Sequence, residues 1–209
     1  MILKAPNTIE DEGIDVPFSK SISNRLLIIQ ALANSGEVEN LSDAKDTTVL
    51  KEILSQLPNF IDVGHAGTAF RFLVAFLAIK EGEWLLTGSV RMQQRPIAHL
   101  VDSLRILGAD ITYENKEGYP PLIIKGRKLS GGVVTVDGSI SSQYVSALMM
   151  IGPYLQNGLI LNLIGDLVST SYIEMTRSLM QDCGVDVLFK NKKIEISRSN
   201  YNFKTLTVE

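Results

Sequence analysis

Basic and hydroxylated residues collect where several predicted helices begin. In the stretch "FSKSISNRLLIIQALA" an amphipathic helix opens with Lys20, Ser21 and Arg25, and in "HAGTAFR" another opens with Gly67 and Arg71. The N-terminal end of a helix already carries partial positive charge, so cations are unfavourable there unless an anion binds. Free backbone N–H groups at that end, together with a Lys or Arg, form an anion site. These two helix starts therefore predict a negatively charged ligand.

Three further helix starts extend the pattern. Pro96 suits the first position of a helix, which places Arg95 at the helix mouth with Arg91 just before it. Two other starts offer hydrogen-bond donors in place of charge. Their residues are Ser141, Ser142 and Gln143 in one helix and Ser169 and Tyr172 in another. Taken alone, each Arg is more simply a surface cation, and Ser169 is equally well explained as a plain N-cap. The coincidence of several such helix mouths favours a shared anion site.

The predicted elements fall into three similar units. From Glu83 and again from Leu159 the chain runs through an apolar strand, a loop, an amphipathic helix, a Gly-x-Asp turn and a further strand, and 38–63 is a fainter copy. A helix precedes every copy. The repeats extend over about 18–63, 64–126 and 133–198. This pattern predicts an α/β fold with pseudo-threefold symmetry, which would aim the helix starts at one place. An ordinary α/β sandwich with chance similarity is the alternative.

The composition argues against several other classes of protein. A net charge of −3 over 209 residues gives no reason to expect nucleic-acid binding. The single cysteine, Cys183, excludes an intramolecular disulfide and falls on the apolar stripe of a predicted helix. His65 and His99 lack metal-ligand spacing, and we expect no metal. No apolar run is long enough for a membrane span and the start lacks a signal-peptide core, so we expect a soluble, cytoplasmic protein.

Five strings along the chain resemble the family of 3-phosphoshikimate 1-carboxyvinyltransferase, also called 5-enolpyruvylshikimate-3-phosphate synthase. They are "SKSISNR", "AGTAFR", "RMQQRPIAHLVDSLRILGA", "DGSISSQY" and "LVSTSY", in the order and spacing of the family. The resemblance implies an inside-out α/β barrel of two domains, each with three βαβαββ units, and this chain would be one domain. It also implies transfer of the enolpyruvyl group of phosphoenolpyruvate to the 5-hydroxyl of shikimate 3-phosphate, in aromatic amino acid biosynthesis, without metal or organic cofactor.

The resemblance further implies a role for each residue at a matching position. Shikimate 3-phosphate would be held by Lys20, Ser21, Arg25, Ser141, Ser142, Gln143, Ser169 and Tyr172. Phosphoenolpyruvate would contact Lys20, Gly67, Arg95 and Gln143. Lys20 touches both substrates in this assignment and is the residue expected to be catalytic.

The chain departs from the family pattern in two residues and in length. His65 stands where Asn is usual before "AGT", and Phe72 stands where many members have Pro. Family members are about twice as long, so residues 1–17 are expected to cross into a second, C-terminal domain that is the partner of 18–209. The three-repeat domain is expected to be inactive alone. Two alternatives remain: a domain of the UDP-N-acetylglucosamine enolpyruvyl transferase, and a non-catalytic anion-binding module.

Overall fold

The computed structural model describes residues 16–209, in which helices and strands alternate. The helices are α1 (Lys20–Ala33), α2 (Lys45–Gln56), α3 (Gly67–Ile79), α4 (Val90–Gln93), α5 (Ala98–Ile106), α6 (Ser142–Ile151) and α7 (Thr170–Asp182). The strands are β1 (Val38–Glu39), β2 (Phe60–Asp62), β3 (Gly82–Thr87), β4 (Asp110–Tyr113), β5 (Leu122–Gly126), β6 (Gly132–Asp137), β7 (Leu159–Ile164), β8 (Val187–Lys190), β9 (Lys193–Ile196) and β10 (Leu206–Thr207).

Two four-stranded sheets share one topology. Their strand orders are β2-β3-β5-β4 and β6-β7-β9-β8, so both read first, second, fourth, third. In each sheet the first two strands are parallel, as a strand–helix–strand crossover requires, and the last two form an antiparallel hairpin. The hairpin of β8 and β9 turns at Asn191 and Lys192, which both have positive φ, as a two-residue turn of this kind needs. These are two complete βαβαββ units.

A third unit is formed by the two ends of the described chain. Strand β1 pairs in parallel with β10 (residues 206–207). Strand β10 therefore takes the place beside β1 that the first strand has in each of the other two units. The backbone N–H of Ser19, just before α1, also donates to the carbonyl of Glu209 at 3.3 Å. The three units together give the three-repeat α/β fold that the sequence predicts.

Three helices, one from each unit, form the centre of the domain. Eleven of the thirteen residues of α3 are buried, nine of the ten in α6, and eight of the fourteen in α1. A helix that is apolar on every side is stable only when it is surrounded by other elements, and α1, α3 and α6 pack against one another. The other helix of each unit is amphipathic: α2 and α7 bury only three residues each. The interior helices are the ones whose starts carry the predicted site.

The structure corrects two details of the predicted elements. The strand at residues 60–62 was expected to close the first repeat, but β2 pairs with β3 and so opens the second unit. The helix expected to begin at Pro96 begins at Ala98, because the N–H of Ile97 donates to Gly118 and the carbonyl of Pro96 accepts from Tyr144. A short helix that the sequence did not indicate, α4, precedes it and is capped by Ser89. Arg95 therefore lies in a connecting segment and not at a helix mouth.

Cys183 belongs to the core, and the described residues lack two kinds of feature. Cys183 is 1% exposed at the end of α7, and burial raises the pKa of its thiol to about 12, as expected of a core residue. Over residues 16–209, no helix combines the length and apolar character that a bilayer crossing requires. The same residues contain no group of three or more His, Cys, Asp or Glu side chains placed to hold a metal ion. The predicted crossing segment, residues 1–17, lies almost wholly outside the described residues.

Candidate functional site

One cleft of about 610 Å³ lies where α1, α3, α6 and α7 begin. Nine of the ten predicted site residues line it. They are Lys20, Ser21, Arg25, Arg95, Ser141, Ser142, Gln143, Ser169 and Tyr172. The tenth, Gly67, lies directly beside Arg95 and Arg71 at the edge of the cleft. The helix starts therefore converge as the sequence predicted, whereas the ligands of these residues stay a prediction.

Side-chain hydrogen bonds between helices hold the starts together. Arg25 of α1 donates from Nε to Thr176 Oγ1 of α7 at 2.7 Å, and from Nη2 to Ser146 Oγ of α6 at 3.0 Å. Gln143 of α6 donates from Nε2 to Thr68 Oγ1 of α3 at 3.2 Å. Because every one of these bonds crosses from one repeat to another, the cleft depends on the assembled domain and not on any single helix.

Arg25 is a buried cation without a carboxylate partner in the described part of the chain. It is 2% exposed, and its guanidinium lies 5.4 Å from the ring centre of Phe72 and 5.7 Å from that of Tyr172. Its hydrogen-bond acceptors are hydroxyl and carbonyl oxygens, including the carbonyl of Ser21 at 2.9 Å. Burial lowers the pKa of Arg25 to about 10, partly offset by Tyr172. A cation held in this way is stabilised when an anion binds next to it.

Arg71 is a second buried cation in the cleft, and no substrate role was assigned to it from the sequence. It is 7% exposed, its Nη1 donates to the carbonyl of Gly67 at 2.8 Å, and it lies 5.6 Å from the ring centre of Tyr144. Its Nε has no hydrogen-bond partner among the described residues. Burial lowers the pKa of Arg71, and the nearby charge of Arg95 lowers it further. The spacing of Gly67 and Arg71, four residues apart on one helix face, was the signal for it in the sequence.

Gly67 is needed because two guanidinium groups approach its backbone. A Cβ at this position would collide with Nη1 of Arg95 and would lie 3.1 Å from Nη1 of Arg71. Glycine therefore allows two like charges to converge at the first residue of α3. The two guanidinium groups carry like charges and repel each other, so the arrangement favours an anion between or beside them.

Lys20 is more loosely held than the arginines. Its side chain is 46% exposed, and its Nζ lies 3.6 Å from Asp46 Oδ2 at the start of α2. An exposed ion pair of this kind contributes less than about 1 kcal/mol. Lys20 is therefore available to a ligand in the cleft at small cost.

The cleft as a whole carries an excess of positive charge. Lys20, Arg25, Arg71 and Arg95 line it, and no carboxylate does so among the described residues. Hydroxyl and amide groups complete the lining, with Ser141 as the N-cap of α6. Further lining residues, which had no ligand role assigned from the sequence, are Thr68, Pro96, Ile140, Tyr144 and Val168. This arrangement suits a ligand with more than one negative charge and several hydroxyl groups.

Ser169 has a backbone conformation that most residues avoid. Its φ is +55° and ψ +42°, in the left-handed region, and its side chain makes no capping hydrogen bond at the start of α7. The plain N-cap explanation therefore fails. A non-glycine residue in this region costs about 1 kcal/mol, and such strain tends to be kept at ligand sites.

We expect Ser169→Gly and Ser169→Ala to differ in stability and to agree in binding. Glycine relieves the left-handed backbone, so Ser169→Gly should unfold at the same temperature as the parent or higher, whereas Ser169→Ala should gain nothing. Both variants lose the hydroxyl, so if shikimate 3-phosphate binds here, as the resemblance implies, its affinity should fall about 10-fold in both. Thermal unfolding and calorimetric titration measure the two effects. Unchanged affinity in both variants would remove Ser169 from the site.

The fold and the cleft together define the chain as a domain of the inside-out α/β class with a cluster of cations and hydroxyl groups at its helix starts. Residues 58–201 match the family model of EPSP synthase (3-phosphoshikimate 1-carboxyvinyltransferase). The chain belongs to this family.

Curated relatives agree with this family, and a solved structure agrees with the fold. The 3-phosphoshikimate 1-carboxyvinyltransferase of Bacteroides fragilis is 48% identical over 210 residues, which is all of this chain and 51% of that protein. That of Haemophilus influenzae is 42% identical over 89% of this chain and 50% of its own length. The structure of EPSP synthase from Acinetobacter baumannii superimposes with a TM-score of 0.81 at 20% identity, covering 93% of this chain and 49% of that one. The chain therefore spans about half the length of the curated relatives it matches.

Proposed function

We propose that this chain supplies the shikimate 3-phosphate side of an enolpyruvyl transferase. The observation that carries the proposal is the single cleft in which four cations and several hydroxyl donors meet with no lining carboxylate in the described chain. Shikimate 3-phosphate has a phosphate, a carboxylate and ring hydroxyls, and phosphoenolpyruvate has a phosphate and a carboxylate. Both are polyanions, and polyanions of this kind match the excess charge of the cleft.

The proposed binding roles are those that the resemblance implies for the residues of the cleft. Arg25 and Tyr172 would hold one anionic group of shikimate 3-phosphate, while Ser141, Ser142 and Ser169 donate to its phosphate and hydroxyls. Gln143, whose Nε2 donates to Thr68 Oγ1, would contact both ligands. Gly67 and Arg95 would contact phosphoenolpyruvate, and Lys20 would touch both ligands and stabilise charge that develops during the reaction.

The proposed reaction needs proton transfers that the described cleft does not supply. The 5-hydroxyl group loses its proton to a base as its oxygen adds to C2 of phosphoenolpyruvate, and C3 gains a proton from an acid, giving a tetrahedral intermediate. Loss of phosphate from C2 and of a proton from C3 then restores the double bond. Neither a carboxylate nor an imidazole lines the main cleft among the described residues. We therefore propose that a second domain completes the site, with residues 1–17 leading toward it, and that the protein works in the cytoplasm, where both phosphorylated substrates would be retained.

We expect the 209-residue chain to bind shikimate 3-phosphate and to turn over no substrate. Binding should be weak, because a cleft with only one wall makes fewer contacts and cannot close over its ligand. Titration by calorimetry, with amide NMR shifts at Ser21, Arg25 and Ser141, measures binding, and phosphate release in the presence of both substrates measures turnover. Steady release at a rate typical of an enzyme would contradict the proposal that a second domain is needed.

A simple phosphate monoester is the control for specificity. If glycerol 3-phosphate binds as well as shikimate 3-phosphate and shifts the same residues, the chain is a general anion-binding module. If shikimate 3-phosphate causes no shift at these residues, the proposed function is wrong.

A further inference from the structure

A second, smaller cavity adjoins the main cleft. It has a volume of about 380 Å³ and is lined by His65, Arg91, Met92 and Arg95. Arg95 lines both this cavity and the main cleft. Neither His65 nor Arg91 has a role in the proposed binding of the two substrates.

Two loops are joined to make this cavity. The N–H of Ser89 donates to the carbonyl of Gly64 at 2.9 Å, which fixes the segment before α4 against the segment before α3. The Ser89 hydroxyl also accepts from the N–H of Met92, at 3.3 Å, as the N-cap of α4. Met92 is 2% exposed and anchors α4 in the core. His65 and Arg91 are therefore carried on segments whose relative position is set by backbone bonds.

The imidazole of His65 is oriented by the same serine. Ser89 Oγ lies 2.8 Å from Nδ1 of His65. This contact is satisfied in two ways: Ser89 donates to Nδ1 when the ring proton is on Nε2, and Ser89 accepts when Nδ1 carries a proton. In the first case, and in the doubly protonated ring, Nε2–H is a donor on the side of the ring away from Ser89.

The charges around the small cavity are unbalanced. Two guanidinium groups and an imidazole line it, and none of its described lining residues is acidic. Asp62, on the strand that leads into the His65 loop, uses its Oδ1 to accept from the N–H of Gly64 at 2.8 Å. Two arginines beside an oriented N–H donor can bind one tetrahedral oxyanion with several charge-assisted hydrogen bonds.

We propose that His65, Arg91 and Arg95 form a phosphate subsite next to the main cleft. Its role rests on the proposed function, because enolpyruvyl transfer releases inorganic phosphate close to Arg95. A phosphate ion that moves from the cleft to the subsite keeps contact with the Arg95 guanidinium throughout. His65 and Arg91 are both exposed, so the ion can leave from there to solvent without passing the bound organic substrate.

Titration with inorganic phosphate at constant pH and ionic strength tests the subsite. The chain has two histidines, so the ring signal of His65 is read by proton NMR with His99, exposed on α5, as an internal reference. We expect a saturable shift at His65 and none at His99. The shift should persist when shikimate 3-phosphate is present at saturation, because the two ligands occupy different places.

Arg91→Gln is the variant that separates the subsite from the cleft. It should weaken phosphate binding at His65 about 10-fold, and Arg105→Gln, a matched change on α5, should leave it unaltered. An equal shift at both histidines, or a His65 titration unchanged by Arg91→Gln, would overturn the subsite. If the parent chain shows the phosphate-dependent shift at His65 but does not bind shikimate 3-phosphate, the proposed function is wrong and the subsite stands.

Discussion

Arg25→Met should lower the affinity for shikimate 3-phosphate about 100-fold while leaving the temperature of unfolding unchanged or higher. The loss of affinity follows from removing a buried guanidinium that has no carboxylate of its own and would pair with the ligand. Most substitutions of a buried arginine destabilise a protein, because they leave an ionic partner unpaired. Arg25 has no ionic partner in the described chain, so replacing it leaves no charge unpaired and should not destabilise the protein for this reason.

The stability side of this prediction depends on the lowered pKa of Arg25. A pKa reduced from 12.5 to about 10 means that the unfolded chain binds this proton more tightly than the folded one. The charged group therefore costs the folded state about 3 kcal/mol below pH 10, a cost that falls as the pH rises from 10 toward 12.5. Methionine has a similar length and no charge. The Ser146 and Thr176 hydroxyls are hydrogen-bonded to each other at 2.8 Å, and we expect this bond to persist when the guanidinium is gone.

Calorimetric titration and thermal unfolding at neutral pH measure the two halves of the result. Arg127→Met is the control, because Arg127 is exposed and lies outside the cleft, where its Nε donates to the carbonyl of Gly108. It should leave the affinity unchanged. A large drop in the unfolding temperature of Arg25→Met would show that its hydrogen bonds outweigh the cost of burying its charge.

Gly67→Ala should lower the affinity for phosphoenolpyruvate 10- to 100-fold, roughly, measured with shikimate 3-phosphate at saturation. The added Cβ occupies the position of Arg95 Nη1 and presses on Arg71 Nη1 at 3.1 Å. Because the obstacle is the end of a flexible side chain, the guanidinium of Arg95 moves and the backbone does not. Alanine is the better helix former at the first residue of α3, so the unfolding temperature should not fall.

A double-mutant cycle shows whether the effect acts through Arg95. In an Arg95→Gln background, Gly67→Ala should cause little further loss of affinity, because the group that the Cβ displaces is already absent. Additive losses in the double variant would mean that the added methyl group blocks the ligand directly and that the proposed displacement of Arg95 is wrong.

The sequence predicted the local elements and the composition of the cleft for physical reasons that act over short distances. Cations at the starts of α1 and α3 contradict the usual preference of helix starts, so they pointed to a ligand. The residues that mark the starts of the interior helices, Lys20, Gly67 and Ser141, lie within one residue of where α1, α3 and α6 begin. The repetition of the unit then predicted that the helix starts face one another, which no single element could indicate.

Other features depend on contacts between distant residues and left no readable pattern. Strand β2 was assigned to the wrong unit because a short strand does not reveal its partner. The start of α5 was misplaced because Gly118 and Tyr144 take the backbone groups around Pro96. The positive φ of Ser169 and the approach of Arg95 to Gly67 exist only in the folded chain. The small cavity beside His65 is likewise a product of two loops that meet in space.

The pairing of β1 with β10 has a consequence for how the domain is made in the cell. Thr207 Oγ1 donates to Glu39 Oε2 at 3.0 Å across a separation of 168 residues, and Phe203 and Val208 are buried beside this sheet. A growing polypeptide emerges from the ribosome with β1 first. The edge of β1 therefore stays unpaired, and the apolar surface that packs against Phe203 stays exposed, until almost all of these residues have been synthesised. Cutting the chain before residue 203 would therefore remove core and sheet together, and would not merely trim a loose tail.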